Sequence, residues 1–294
     1  MCKNMIKLSV ALATHNEEEN LPRCLDSVRQ LAEEIVIVDG SSTDKTVEIA
    51  KNYGARVLVR ENPPIFHINK QKALEMCRGE WILQLDADEV VSPELAGEIK
   101  KVVLMSNEEI GQRKFPDWKT RLFERHQKLV EERDGKIGSQ TGEVAAFFIP
   151  RKNYFLGSFL RYGGVYPDGV VRLVRNGKAK FPCKSVHEQI EIDGRVGWLE
   201  NDLLHYDSPT FSRYLARADR YTTLTAEELR KSNLQINFQN TLYYLLFKPK
   251  IEFLKRVFRH RAYKDGFPGI IFALFSALHY PIAFLKYWEL KIND

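Results

Sequence analysis

The sequence predicts an α/β protein built on a mostly parallel sheet with helices on both faces, followed by a helical extension. Three observations lead there. Short apolar runs alternate with segments of helical spacing over the first hundred residues. The successive runs end in polar clusters. From about residue 207 the strand signal gives way to helical spacing alone. With 294 residues and 44% hydrophobic content, the chain can bury one large core and still carry a helical appendage.

The elements follow in order. Leu8–Ala13 is an apolar strand. Residues 17–31 read as a helix, with Leu21, Leu25, Val28 and Leu31 spaced by four and three. Ile35–Val38 is a second strand ending in Asp39-Gly40. Ser42 or Thr43 can cap the next helix, whose core-facing candidates are Val47, Ile49 and Ala50. Arg56–Val59 is a third strand, a helix is expected around 66–78, and Trp81–Leu85 is a strand leading into Asp86-Ala87-Asp88. A βαβα order implies a parallel sheet covered on both faces. Residues 106–143 are rich in charges of both signs and read as an insert or loop, with a helix at 117–132. Strand signals return at 144–149, 170–174 and 189–192, with Asn176-Gly177 and Asp193-Gly194 as turn signals. We therefore expect an α/β domain over 1–206 and a helical region over 207–294.

The net charge of +5 is mild, so the placement of charge matters more than its sum. Cys2, Cys24, Cys77 and Cys183 lie far apart with no metal-type spacing and read as reduced thiols. The apolar run up to Ala13 is short for a signal peptide, and Glu17-Glu18-Glu19 follows it. The expected location is the cytoplasm or a membrane surface facing it.

In open parallel sheets, ligands bind beyond the carboxyl ends of the strands. Those ends carry Thr14-His15-Asn16-Glu17, Asp39-Gly40-Ser41-Ser42-Thr43-Asp44, and the pair Asp86 and Asp88. Residues i and i+2 of a strand point to one side, so this pair can share a hard divalent cation. An acid such as Asp39 can equally be a turn or helix-cap residue. No Gly-x-Gly-x-x-Gly follows the first strand and no Gly-Lys-Ser/Thr loop occurs, which disfavours dinucleotide and P-loop phosphate binding. A cation on Asp86 and Asp88 could instead hold a diphosphate and neutralise charge as it leaves.

Three segments, Val10–Glu18, Ile35–Asp44 and Gly79–Glu89, together resemble family 2 of the glycosyltransferases, which has the GT-A fold. The resemblance implies a nucleotide-sugar donor, a UDP-sugar, and Mn²⁺ or Mg²⁺ as cofactor. It implies that Asp39 contacts the nucleoside with Thr14 and Glu17 nearby. His15 stands where the family usually has Tyr and can still stack on a base. Asp86 and Asp88 would meet the ribose, the metal and the diphosphate. Lys70 and Lys72 fall where the family has a basic or amide group near the donor, and Lys72 is carried as a donor-binding candidate beside the reading of a solvated helix face.

An inverting transfer needs a base to deprotonate the acceptor hydroxyl. Tyr166–Leu173, with Val186-His187-Glu188 and His205-Tyr206, resembles the subgroup acting on lipopolysaccharide inner core, similar to heptose-modifying β-glucosyltransferases. Asp168 is the first candidate for the base and Glu188 the second. His187 could complete the metal shell, orient an acid, or be structural. The Gln-x-x-Arg-Trp signature of processive members is absent, which implies addition of one sugar to a lipid-linked saccharide. The alternatives are a polyprenyl-phosphate glycosyltransferase, a sugar nucleotidyltransferase and an inactive membrane-bound binding module. Thr14–Glu17 lacks the Gly- and Arg/Lys-rich character a nucleotidyltransferase needs there.

Residues 248–264 carry seven Lys and Arg against the acid Glu252, and Phe247, Ile251, Leu254 and Phe258 follow helical spacing. Pro249 suits a first turn. Such a helix fits an anionic membrane surface; without a recognition motif, nucleic acid is not an expected partner. Residues 267–285 carry no formal charge and approach the length of a span, with Pro268-Gly269 opening the stretch and His279 and Pro281 interrupting it. The expectation is a helix or helical hairpin lying in the interface on the cytoplasmic face of the inner membrane.

Overall fold

The computed structural model describes residues 6–184 and 189–292. The strands are β1 (Leu8–Thr14), β2 (Glu34–Asp39), β3 (Arg56–Val59), β4 (Trp81–Leu85), β5 (Glu89–Val91), β6 (Ser139–Ile149), β7 (Arg151–Phe155), β8 (Ser158–Leu160), β9 (Val170–Arg175), β10 (Ala179–Lys180), β11 (Glu191–Ile192), β12 (Arg195–Trp198) and β13 (Leu203–Ser208). The helices are α1 (Leu21–Val28), α2 (Thr46–Asn52), α3 (His67–Met76), α4 (Pro93–Val102), α5 (Asn107–Gly111), α6 (Asp117–Asp134), α7 (Phe211–Lys231), α8 (Phe238–Leu242), α9 (Lys248–Leu254) and α10 (Gly266–Ile292). The chain divides into two compact units. The first holds residues up to Arg151 together with Pro167–His205, and the second holds Lys152–Tyr166 and Tyr206 onward. The segment 152–166 thus groups with the C-terminal helices, where the sequence reading had set a single boundary after 206.

In the first unit a seven-stranded sheet runs in the order β12-β6-β9-β4-β1-β2-β3. Every neighbouring pair is parallel except those made by β9, which is antiparallel to both β4 and β6. Side-chain alternation divides the sheet's residues between two cores. Leu8, Val10, Leu12, Ile37, Trp81, Leu83 and Leu85 face α1 and α4 residues such as Leu25 and Ile99. Ala11, Val36, Val38 and Ile82 join Ala73 and Leu74 of α3 and Phe123 and Val130 of α6. Burial on both faces explains why these strands read as continuous apolar runs.

Local chemistry moves some boundaries. Pro22 favours the first helical turn, so α1 starts at Leu21 and not at 17. Neither Ser42 nor Thr43 caps α2. Ser42 is drawn to Asp39, and the Asp44 carboxylate accepts from the Thr46 amide at 2.9 Å. Residues 106–143 are largely ordered structure: a capping box of Ser106 and Glu109 opens α5, α6 follows, and β6 begins at Ser139. Gly177 turns the chain after β9 with φ of 78°, but β10 pairs with β11 and not back onto β9, so Asn176-Gly177 makes a turn without a hairpin.

In the second unit β7 and β8 form a hairpin through Leu156 and Gly157, both at positive φ. Phe155 packs against Phe211, Tyr214 and Phe272. Residues 238–259 form one helical run in which π-helical turns at Tyr243–Phe247 and Lys255–Arg259 flank α9. Pro249 therefore sits inside a continuing helix. It lacks an amide and crowds the carbonyl four residues back, and a widened turn relieves both defects. The basic helix ends at Arg259, and a 3₁₀ turn at Ala262–Asp265 leads into α10. Asp265 closes this turn by accepting from the amides of Arg161 and Tyr162. Helix α10 runs unbroken through His279 and Pro281, contrary to the expected interruption. Polar contacts tie the helix to α7 on either side of the proline: Thr225 hydrogen-bonds His279 at 3.0 Å and Lys286 pairs with Asp219.

One face of α10 (Ala273, Ala277, Ala283, Phe284, Tyr287) is buried. The other exposes Leu274, Leu278, Ile282 and Leu285. On the basic run, Phe247, Ile251, Leu254 and Phe258 are 52%, 53%, 41% and 67% exposed, so the apolar stripe inferred from spacing lies open to solvent. The segment Ala262–Ile292 is the one helix among the described residues long and apolar enough to cross a membrane.

At Gly79 the entry to β4 lies close against β1. A Cβ there would stand 2.6 Å from the Ser9 amide nitrogen and 2.9 Å from the Trp81 carbonyl oxygen. Both are backbone atoms that cannot move aside. Gly79→Ala is expected to lower stability by about 1–3 kcal/mol, measured by urea unfolding; an unchanged midpoint would show that the strands can separate there at no cost.

Candidate functional site

Strands β1, β2 and β4 end together, with Thr14 opposite Asp39 and Leu12 opposite Leu85. The first two ends are tied to each other. Asp39 has no solvent exposure. It accepts from Thr14 Oγ1 at 2.9 Å, from the Ser42 amide at 2.8 Å and from Ser42 Oγ at 2.6 Å. Asn16, at φ of 54°, donates its amide to Ser42 Oγ and accepts from the Thr43 amide. His15 Nδ1 bonds the Gly40 carbonyl at 2.8 Å, and the Glu17 amide donates to Thr46. His15 itself is exposed, while Glu17 binds Asn20. Asp39 and Thr14, the expected ligand contacts, also fix the shape of the rim, and His15 is among the groups of this cluster presented to solvent.

The acids after β4 do not share one face. The strand ends at Leu85, and Asp86–Glu89 is a turn in which the Glu89 amide donates to the Asp86 carbonyl and the Asp86 amide to the Glu89 carboxylate. Once the chain turns, the two-residue alternation no longer applies. Asp86 places one oxygen 2.5 Å from Lys70 Nζ and the other 2.5 Å from Arg172. Burial acts to raise its pKa, but Arg172 and Lys70 outweigh it and hold the carboxyl well below the ordinary range. Both Asp86 oxygens are engaged by cations, so the expected metal ligation by Asp86 would require one of these ion pairs to open. Asp88 diverges toward His205, whose Nε2 lies 3.6 Å away. Burial opposes the Asp88 charge, and the hydrogen bond and charge of His205 overcome it, so its pKa is lowered.

Lys70 rather than Lys72 reaches the site. Two helical residues on, a side chain is rotated by about 200°. Lys70 is 7% exposed, whereas Lys72 lies at the surface beside Glu75. Burial lowers the Lys70 pKa, and Asp86 offsets part of that.

Behind the turn, Glu89 has no exposure. It accepts from Arg172 at 2.8 Å and from Arg151 at 3.1 Å, and Arg151 reaches on to Asp168 at 2.9 Å. Arg172 also donates to Gln84. Asp168 stands at φ of 30° and is partly exposed. His187 and Glu188, the other candidates for metal and base, lie outside the described residues.

Sequence reading missed Arg151, Arg172 and Glu89. Arg172 had a signal: a lone charge inside the apolar run Val170–Val174 must find acids or it would not be buried. Arg151, directly after Ile149-Pro150, had none.

Among the described residues no group of three or more His, Cys, Asp or Glu gathers to hold a metal. Asp88 and His205 are a carboxylate and an imidazole, a donor set suited to a divalent ion that takes its remaining ligands from a bound phosphate.

The family model described as "Glycosyl transferase family 2" matches residues 9–165. The chain is 28% identical over 285 residues to the lipopolysaccharide core biosynthesis glycosyltransferase LpsC of Rhizobium meliloti, covering 93% of this chain and 89% of that protein. It is 26% identical over 300 residues to an uncharacterized glycosyltransferase of Rickettsia typhi, covering 99% and 89%. Among solved structures, glucosyl-3-phosphoglycerate synthase from Mycobacterium tuberculosis, in complex with Mn²⁺, UDP and glucosyl-3-phosphoglycerate, is 26% identical over 29% of this chain and 34% of that one, with a TM-score of 0.27.

Arg172→Met leaves Asp86 and Glu89 short of a buried partner and is expected to cost about 3–5 kcal/mol. The pH dependence has a definite sign. The folded pKa of Asp86 is depressed, so its stabilisation is complete above the unfolded value of about 3.9 and is lost as pH falls through the folded value. In Arg172→Met that loss begins at higher pH. Identical acid-unfolding curves for the two proteins would refute the assignment.

Proposed function

Because the chain belongs to glycosyl transferase family 2, we propose that it moves one sugar, with inversion, from a UDP-sugar to a lipid-linked saccharide of the lipopolysaccharide inner-core type. The observation that carries this reading is the buried ion-pair chain Glu89–Arg151–Asp168, which anchors Asp168 to the same Asp86–Glu89 turn from which Asp88 reaches His205. A donor-side acid and a candidate base are thus held by the same scaffold. The relative named for lipopolysaccharide core biosynthesis, matched over most of both chains, supports the acceptor class.

Asp168 takes the proton of the acceptor hydroxyl. The freed oxygen forms its bond to the anomeric carbon as the bond from that carbon to the diphosphate oxygen breaks, and the electron pair leaves on UDP. Arg151 keeps Asp168 oriented, while Glu89 shares the Arg151 guanidinium. Asp88 and His205 would hold Mn²⁺ or Mg²⁺, which supplies neutralisation of charge on the diphosphate. Asp39, Thr14 and Ser42 keep the nucleoside side of the rim in shape, with His15 available to stack.

The helical region would hold the protein on an anionic bilayer facing the cytoplasm. The exposed stripe Phe247, Ile251, Leu254 and Phe258 is bordered by Lys250, Lys255 and Arg259, the layout of an interfacial helix. Helix α10, about 40 Å long, has one face committed to the charged helix α7 through Asp219 and Lys286, which favours lying in the interface over spanning.

Four measurements test the reading. Turnover of UDP-glucose should release UDP and no pyrophosphate, and Asp88→Ala should remove the Mn²⁺ dependence of UDP binding in calorimetry; metal-dependent binding that survives would exclude Asp88 as a ligand. Asp168→Asn should abolish transfer and spare UDP binding, and normal turnover would move the base elsewhere. Phe258→Glu should weaken co-sedimentation with phosphatidylglycerol vesicles; equal recovery of variant and parent would sink the membrane assignment.

A further inference from the structure

Asp168 occupies backbone that a residue with a side chain adopts at a cost. Its φ of 30° lies in the left-handed region, and such a conformation persists where its surroundings over-determine it. The side chain is tethered by Arg151 at 2.9 Å. The backbone is tethered one residue later. The Gly169 amide donates to Nε2 of His126 at 2.9 Å. Gly169 is there because nothing larger fits: a Cβ would stand 2.3 Å from the Trp198 ring and 3.2 Å from the His126 ring. Both rings are fixed. Trp198 is stacked between Phe123 and Phe148 and donates its indole N–H to Gln127, and His126 meets Trp198 edge to face at 5.8 Å.

We propose that His126, on α6, is the positioning residue for Asp168: its neutral Nδ1–H imidazole acts as an acceptor that clamps the Gly169 amide and so sets where the carboxylate points. This rests on the reading of Asp168 as the base. An amide N–H needs an unprotonated nitrogen opposite it. Adding a proton to Nε2 sets N–H against N–H, and the clamp must open. The groups facing the imidazole are the Trp198 ring, Asp168, Arg151 and Arg133. Burial is the main influence and lowers the His126 pKa; Asp168 acts the other way, and Arg133 and Arg151 add to the lowering. The folded value therefore lies below the unfolded one of about 6.5. At neutral pH the clamp is closed, and it opens as pH falls through the folded value. The clamp also gives the charged segment around α6 a function: it carries the group that shapes the opposite side of the candidate site.

The test combines two substitutions with a spectroscopic readout on the full chain. His126→Ala removes the acceptor, and turnover of UDP-glucose, with water standing in as acceptor, should fall about 10- to 100-fold while UDP affinity holds. His126→Gln offers Oε1 at a similar reach without titrating. It should recover most of the turnover and flatten or shift to lower pH the acid limb of the rate profile. If His126→Ala does not fold, His126→Gln carries the test with ¹⁵N-histidine NMR of the parent protein, which should show Nδ1–H and an unprotonated Nε2 at pH 7. An Nε2–H tautomer, or an acid limb identical in parent and His126→Gln, would overturn the clamp. The two readings fail differently: full turnover in Asp168→Asn removes the base assignment, whereas an inactive Asp168→Asn beside a fully active His126→Ala removes the clamp alone.

Discussion

Glu89 has no exposed surface, yet it carries a charge between two guanidinium groups, and the rest of the site depends on that placement. Its carboxylate accepts from Arg172, from Arg151 and from the Asp86 amide. Each bond fixes a different neighbour. Arg172 then holds Asp86, Arg151 then holds Asp168, and the amide bond closes the turn that sends Asp88 toward His205. A buried charge of this kind is costly unless all its partners are present. The arrangement therefore has few intermediate forms: the turn, the second arginine and the candidate base stand or fall together.

Much of this was legible before any coordinates. The alternation of apolar runs and helices gave β1–β4 and their parallel pairing because strands buried on both faces leave continuous hydrophobic runs. The rim was legible because polar clusters followed three of those runs. What failed did so for local reasons. Asp86 and Asp88 were read as strand residues sharing a face, but the strand ends at Leu85 and both acids fall in the Asp86–Glu89 turn, where alternation does not hold. The helix bearing Lys70 and Lys72 has almost no apolar periodicity, so the sequence gives little sign that Lys70 is the one facing inward. The helix boundaries near Pro22 and Pro249 moved because proline acts on the turn before it as well as on its own position. Pairings across long separations, such as Arg172 with Glu89 or His126 with Gly169, have no one-dimensional signature.

The C-terminal unit solves a different problem. Its helices are apolar enough to seek burial, but only part of that surface is satisfied within the unit. Ala226, Phe284 and Tyr287 form a small core, and small residues along α10 allow close approach to α7. The remaining stripes on the 238–259 run and on α10 stay open. Pro249 and Pro281 are both accommodated within helices, the first by widened turns and the second beside polar contacts from α7.

The ion-pair chain has one more consequence. Lys70, Arg151 and Arg172 face Asp86, Glu89 and Asp168, so three positive charges meet three negative ones. Seen from beyond a Debye length, about 8 Å in physiological salt, such a cluster is close to silent. It exerts little long-range pull on an approaching anion, and dissolved salt has correspondingly little to screen. Selectivity at such a site is then a matter of short-range fit, even though the site is densely charged.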